Sequence, residues 1–187
     1  MADFQRNRSK QILREAEGYL DLATACSERL ALDASSRDLM AVRAVETLAR
    51  LDDCDQDRAE VWYLKGMAYR IMERHSDAIQ ALDKSAEFDR NNIHTWLALG
   101  WCYKRAQRID KAIEALEEAL QVDDRQAIIH YNLACYWSLA HNVKFAVRYL
   151  EQAFDLDPAY RDLVNDEHDF DAIRQHPRFQ ELLTVIV

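Results

Sequence analysis

The chain has 187 residues, 49% of them hydrophobic and 30% charged, with 3 glycines, 2 prolines and a formal net charge of -9. So few turn makers exclude a β protein, and the balance of apolar and charged residues is that of packed helices with a solvated outer face. The negative charge argues against a nucleic-acid duplex or an anionic membrane surface as the main partner, because both reward clustered Lys and Arg.

The opening stretch M-A-D-F-Q-R-N-R-S-K has no apolar core of signal-peptide length, and no later run approaches the ~20 apolar residues of a membrane span. A soluble cytoplasmic protein is therefore expected. Cys26, Cys54, Cys102 and Cys135 form no C-x-x-C pair and no zinc-ligand spacing. Cys102 and Cys135, among the small residues of the repeating helices, read as compact hydrophobes, and no metal or cofactor is expected.

The first predicted helix covers 8–23, with Ile12, Leu13, Ala16, Tyr19, Leu20 and Ala23 at helical spacing. A second covers 37–51 through Met40, Ala41, Ala44, Leu48 and Leu51. The segment between them, 24–38, either extends the first helix or adds a short one through Arg29, Leu30 and Leu32. It serves either as a cap or as a binding loop. Asp52 to Arg58 is an acidic connector, so 1–58 reads as one divergent helix pair.

From Ala59 a 34-residue period takes over. Trp62, Gly66 and Tyr69 recur as Trp96, Gly100 and Tyr103, then as His130, Ala134 and Trp137. Ala78, Ala112 and Ala146 recur in the same step and are expected to face the small residues, letting two helices approach closely. A glycine inside a helix costs about 1 kcal/mol relative to alanine, so its recurrence implies that close packing offsets the loss. Ser76 and Asp110 are placed to cap second helices, and Asp89, Asp123 and Asp157 mark unit ends. His130 stands at a core Trp position and is expected to pack there through a hydrogen bond.

These units, 59–92, 93–126 and 127–160, resemble tetratricopeptide repeats, whose pattern is W-x2-L-G-x2-Y, then A-x3-F, then P. The middle unit matches best, with Trp96, Leu99, Gly100, Tyr103, Ala112, Leu116 and Ala119, whereas the first has Lys65 where Leu is usual. The resemblance implies an all-α fold, a right-handed superhelical array of antiparallel helix pairs. The tail 161–187 contains D-F-x-x-I-R-x-x-P-x-F, similar to a segment that follows the last repeat in some bacterial members. It reads as capping helices broken before Pro177, with Leu163, Val164, Phe170, Ile173, Phe179, Leu182 and Leu183 covering an open repeat end. Its apolar finish, T-V-I-V, is the alternative place for a contact between chains.

The first helix of each unit carries two stripes. Trp96, Leu99, Gly100 and Tyr103 face neighbouring helices, while His94, Leu97, Ala98, Trp101, Lys104 and Arg105 point elsewhere. The resemblance places this second stripe on a concave groove that receives a peptide or helix. With the flanking units, its candidate residues are Tyr63, Met67, Arg70, Leu97, Trp101, Lys104, Arg105, Tyr131 and Asn132, with Cys135 and Leu139 beside them. Aromatics and Met suit an adaptable recognition surface. Burial of the strip as ordinary core is the competing reading. Arg70, Lys104 and Arg105 would favour a ligand with apolar and acidic groups, or serve only the negative ends of their helices.

Some members of the family grip acidic chaperone tails through a Lys and Asn clamp. Tyr63 and Met67 occupy the places of its Lys and first Asn, so that ligand is disfavoured. The six histidines include no H-E-x-x-H, and His168 to Asp171 reads as a solvated acidic turn rather than a metal or acid-base site. The expected function is a non-enzymatic protein-interaction scaffold binding a peptide, helix or partner surface. Structural assembly through the C-terminal apolar end or an open repeat face is the alternative.

Overall fold

The computed structural model describes the backbone of residues 2–29 and 33–184, and their side chains except for 2–4, 25–29, 53 and 54. Among the described residues there is no strand. The helices are α1 (Ala2–Arg29), α2 (Ala34–Leu48), α3 (Asp53–Gln56), α4 (Ala59–Ile71), α5 (His75–Phe88), α6 (Ile93–Arg105), α7 (Ile109–Val122), α8 (Ala127–Leu139), α9 (Val143–Leu156), α10 (Tyr160–Leu163) and α11 (Pro177–Thr184). A single 3-10 turn at His168–Phe170 lies between α10 and α11. The chain divides into two compact units, 1–102 and 103–187.

In the first unit α1 packs on α2 and α4, and α4 packs on α5. The apolar stripe read from the sequence supplies the core: Ile12, Leu13, Ala16 and Leu20 of α1 meet Ala41, Ala44 and Leu48 of α2 and Val61, Leu64 and Ala68 of α4. Part of the 24–38 segment extends the first helix, to Arg29. The alternative short helix through Leu30 and Leu32 lies outside the described residues, as do the side chains of Cys26 and Cys54. The second helix starts and ends about one turn earlier than the spacing indicates, because Asp33 caps it. The Asp33 carboxylate accepts a hydrogen bond from the Ser36 backbone N–H at 2.8 Å, and bonds from Ser36 hold that carboxyl below its usual range.

Close approach in the α4–α5 pair depends on Gly66. A Cβ built there would lie 2.6 Å from Leu82 Cγ and 3.5 Å from the Ala78 carbonyl oxygen. The residue that fills the space opposite Gly66 is therefore Leu82, with Ala78 contributing backbone.

The turns inside the three pairs share one construction. Arg74, Arg108 and Asn142 donate their backbone N–H groups to the carbonyls of Tyr69, Tyr103 and Trp137, each at 2.9 Å. Glu73, Gln107 and His141 take φ of 56°, 59° and 56°. This is the left-handed helix terminus usually built with glycine, here made by other residues at a 34-residue step. The expected caps are corrected at these sites. Ser76 and Asp110 fall inside the first turns of α5 and α7, whose N-cap residues are Arg74 and Arg108. The side-chain cap in this series is Asn142, whose Oδ1 accepts from the Phe145 N–H. Asp89, Asp123 and Asp157 do close their helices, and each carboxylate accepts the backbone N–H two residues on.

In the second unit α8 packs on α7 and α9, while the 3-10 turn lies on α8 and α10 and α11 lie on α9. Val164, Phe170, Ile173 and Phe179 are buried there, whereas Leu163 is 52% exposed and Leu182 and Leu183 are half-buried. Leu163 therefore does not belong to the cover that the sequence assigns it to.

Candidate functional site

In the first unit the candidate face is built on α4 and α6. Trp101 is half-buried, its ring meeting the His75 ring edge-on at 5.5 Å between centroids, and the Arg70 guanidinium lies 5.3 Å from the indole centroid. Such a cation over an indole contributes about 0.5–1 kcal/mol at a partly exposed site. Tyr63 and Met67 are half-buried and rest on the core formed with α1 and α2; Leu97 is half-buried. Ala98, from the same stripe, is buried in the core.

Arg70 is the charge that governs this face. Burial pushes the Tyr63 hydroxyl up, and the positive charge of Arg70 opposes the shift. Burial likewise raises the Cys102 thiol to about 11, again against Arg70. Cys102 is fully buried and packs as the compact hydrophobe expected.

In the second unit the corresponding positions are covered. Tyr131 is only 5% exposed, and its ring meets those of Tyr160 at 5.0 Å and Phe170 at 5.9 Å. As folded it belongs to a packed aromatic cluster and does not present an open surface. Phe170 in turn stacks on Phe179 at 5.4 Å. Lys104 forms an ion pair with Asp169, the side chains 27% and 12% exposed. Arg105 is exposed and Asn132 half-buried, and a recess of about 450 Å³ is lined by Lys104, Arg105, Gln107, Ile109, Leu139 and Asp169.

The covering segment is held by Arg174. Its guanidinium donates to the carbonyls of Glu167 at 2.8 Å and Val164 at 3.2 Å and pairs with Asp171, while Gln180 donates to the Arg174 carbonyl at 2.6 Å. His168 of the H-D-F-D run points to solvent, as expected of a solvated turn. Asp169 does not. It shares with Cys135 and Glu167 a group of donor atoms within 4.8 Å of one another, and the cation meeting this group is the Lys104 ammonium. Burial and these two carboxylates hold the Cys135 thiol well above its ordinary range.

One signal in the sequence marks the covered helix. Ala127–Leu139, A-I-I-H-Y-N-L-A-C-Y-W-S-L, contains no Asp, Glu, Lys or Arg, whereas the first helices of the two preceding units each carry charged residues. A helix without a charged face is buried on opposite sides. Here α7 and α9 take one side and the C-terminal segment takes another.

Among the described residues no helix is long and apolar enough to cross a membrane. The tetratricopeptide repeat family model matches residues 57–125. No curated protein matches the sequence as a relative. Among solved structures the fold is similar to that of MamA, with a TM-score of 0.61 at 20% identity over 82% of this chain and 87% of that one. It is also similar to YrrB, described as a TPR protein with an unusual peptide-binding site, with a TM-score of 0.59 at 16% identity over 81% of this chain and 73% of that one. Residues 57–125 are thus tetratricopeptide repeats, and the chain has the all-helical fold of proteins built from them.

Proposed function

We propose that the chain is a non-catalytic interaction module, acting in the cytoplasm, that binds a peptide, helix or partner surface through the α4 and α6 face. The observation that carries this reading is the half-buried Arg70–Trp101–His75 cluster, an aromatic platform with a cation beside it, flanked by Tyr63, Met67 and Leu97. Trp, Tyr and Arg are the residue types that most often dominate binding energy. In the second unit Arg105 and Asn132 are candidates for further contacts, and Tyr131 and Lys104 are engaged by the chain itself. YrrB, at 16% identity, adds that a repeat protein of this fold has a peptide-binding site.

The ligand chemistry follows from an internal precedent. Tyr131 and Lys104, two residues of the same stripe, receive Phe170 and Asp169, an aromatic group next to a carboxylate. Arg70 and Trp101 offer the same pair of chemistries, so the partner carries an apolar or aromatic residue beside Asp or Glu. Selecting a displayed library of random peptides against the full chain tests this. Enrichment of aromatic-acidic sequences that bind wild type and not Trp101→Ala is the expected result. Selected peptides that bind both proteins equally contradict it.

Self-association is the second reading, favoured by the exposed Leu156 and Leu163 at the last pair; T-V-I-V extends beyond the described residues. Solution mass of the full chain and of Leu163→Glu separates the readings. A monomer in both removes self-assembly.

A further inference from the structure

Helix α8 and the segment that covers it bring together a thiol, two carboxylates and a hydroxyl. Tyr131 and Cys135 are four residues apart on α8 and so share one face of the helix. One period earlier the place of Cys135 is taken by Trp101, and two periods earlier by Met67, so only the third unit has a thiol at this position. Glu167 and Asp169 come from the covering segment. The Glu167 carboxylate accepts the Asp169 backbone N–H at 3.1 Å at the start of the 3-10 turn, which keeps the two acidic residues together. The Cys135 Sγ and one oxygen from each carboxylate lie within 4.8 Å of one another.

Neither charge nor hydrogen bonding is complete in this group. Two carboxylates against the one ammonium of Lys104 leave a negative charge over. Burial raises both the Cys135 thiol and the Tyr131 hydroxyl, and the Glu167 and Asp169 charges push each of them further up, with Lys104 opposing the shift at the thiol. Tyr131 is 5% exposed, and its hydroxyl is buried with no hydrogen-bond partner among the described residues, which is costly. Conversion of the thiol to a thiolate would set three negative charges against one positive, and a divalent cation brings that sum to zero. The approach is from the carboxylate side. Glu167 and Asp169 are both partly exposed, and Asp169 borders the recess of about 450 Å³ that Lys104, Arg105 and Leu139 also line. Zinc bonds sulfur at about 2.3 Å and carboxylate oxygen at about 2.0 Å, so the three donors close on an ion by side-chain movements of about 1 Å. The thiol needs to be neither exposed nor ionised beforehand, because metal binding expels its proton.

We propose that Cys135, Glu167 and Asp169 bind a divalent cation of the zinc class, with the Tyr131 hydroxyl as the candidate for the fourth place and Lys104 completing the charge balance. The Cys135 S–H bond breaks as the sulfur–metal bond forms, and the proton leaves to solvent. One sulfur with two carboxylates selects Zn2+ over Mg2+ and Ca2+, which prefer all-oxygen donor sets. Bound in this way, the ion ties α8 to the covering segment. The Trp101 face contributes none of these residues, so the two sites stand or fall separately.

The test uses the full chain carrying Cys26→Ser and Cys54→Ser, so that a thiolate signal comes from Cys102 or Cys135. Co2+ is added with a non-thiol reductant present, and the thiolate-to-cobalt charge-transfer absorption is followed. A saturable band at one Co2+ per chain is expected, displaced by Zn2+ and not by Mg2+ or Ca2+. The Kd for Zn2+ should be on the order of 1 μM, weaker than that of closed four-ligand sites. Because one proton leaves, affinity should rise about tenfold from pH 7 to pH 8. Cys135→Ser should abolish the band, and Cys102→Ser should leave it unchanged. Glu167→Gln combined with Asp169→Asn keeps the thiol and should weaken Co2+ binding by at least about a hundredfold. Circular dichroism checks the folding of each variant, and if Cys135→Ser does not fold, the carboxylate pair decides.

Absence of the band before Cys135, Glu167 or Asp169 is changed overturns the proposal. So does a band that survives Cys135→Ser or the carboxylate pair. Displacement of Co2+ by Ca2+ contradicts it as well, since that would make the site one of carboxylates alone. Binding of Co2+ without the charge-transfer band places the ion on histidines or carboxylates elsewhere on the chain and likewise overturns it.

Discussion

The face on α4 and α6 in the first unit and the face on α8 and the end of α6 in the second draw on the same repeat stripe and differ in burial. On the first, Trp101 stays half-buried under Arg70. On the second, Tyr131 is closed off by Tyr160 and Phe170, and Lys104 is paired with Asp169. A repeat register therefore assigns a position to a face, and what lies outside the repeat decides whether that face is open.

The largest effect that sharpens this contrast is on stability. Phe170→Ala removes a fully buried ring from the cover and should cost about 3–5 kcal/mol, read as a loss in the urea midpoint. Trp101→Ala, at a half-buried position, should cost about 1–2 kcal/mol. Equal losses would mean that the two faces are packed alike.

Thiol chemistry gives the next contrast. Cys102 and Cys135 are buried with thiols held above the ordinary range, Cys102 at about 11, so both should resist alkylation at pH 8. Phe170→Ala should make Cys135 reactive and leave Cys102 protected, as read by mass spectrometry. The sign of the stability effect follows. Above about pH 9, the unfolded thiols lose protons that the folded ones retain, so the folded state holds more protons and stability falls as pH rises. A urea midpoint that rises from pH 8 to pH 10 would contradict this.

The smallest effect compares two ion pairs. Asp169→Asn leaves Lys104 without its carboxylate in a partly buried place and should cost about 1 kcal/mol. Asp77→Asn, which releases the exposed Arg74, should cost about 0.5 kcal/mol or less. Reversal of that order would show that the cover contributes little through its charge.

The helices were legible because their apolar stripes follow the helical period, and the 34-residue recurrence reveals which helices pair. Gly66 announced a close approach, and the contact opposite it proved to be the Leu82 side chain. Ser76 and Asp110 do not act as caps because α5 and α7 begin at His75 and Ile109, right after their turns, which puts both residues inside the first turn. The cover over Tyr131 escaped the repeat pattern because it is made by 160–179, where the period has stopped. Its trace was the missing charge in Ala127–Leu139, a property of the whole helix rather than of any motif position. At His130 the exchange of Trp for His is visible in the sequence, and the imidazole keeps a hydrogen bond there, to the Asp124 carbonyl at 2.7 Å.

The central claim is that Trp101 belongs to a binding surface rather than to the core. It is tested most directly by titrating one selected aromatic-acidic peptide into wild type and Trp101→Ala by calorimetry, with circular dichroism of both proteins. The account predicts at least a tenfold loss of affinity, about 1.4 kcal/mol, with helicity retained. Unchanged affinity, or a variant that no longer folds, would contradict it.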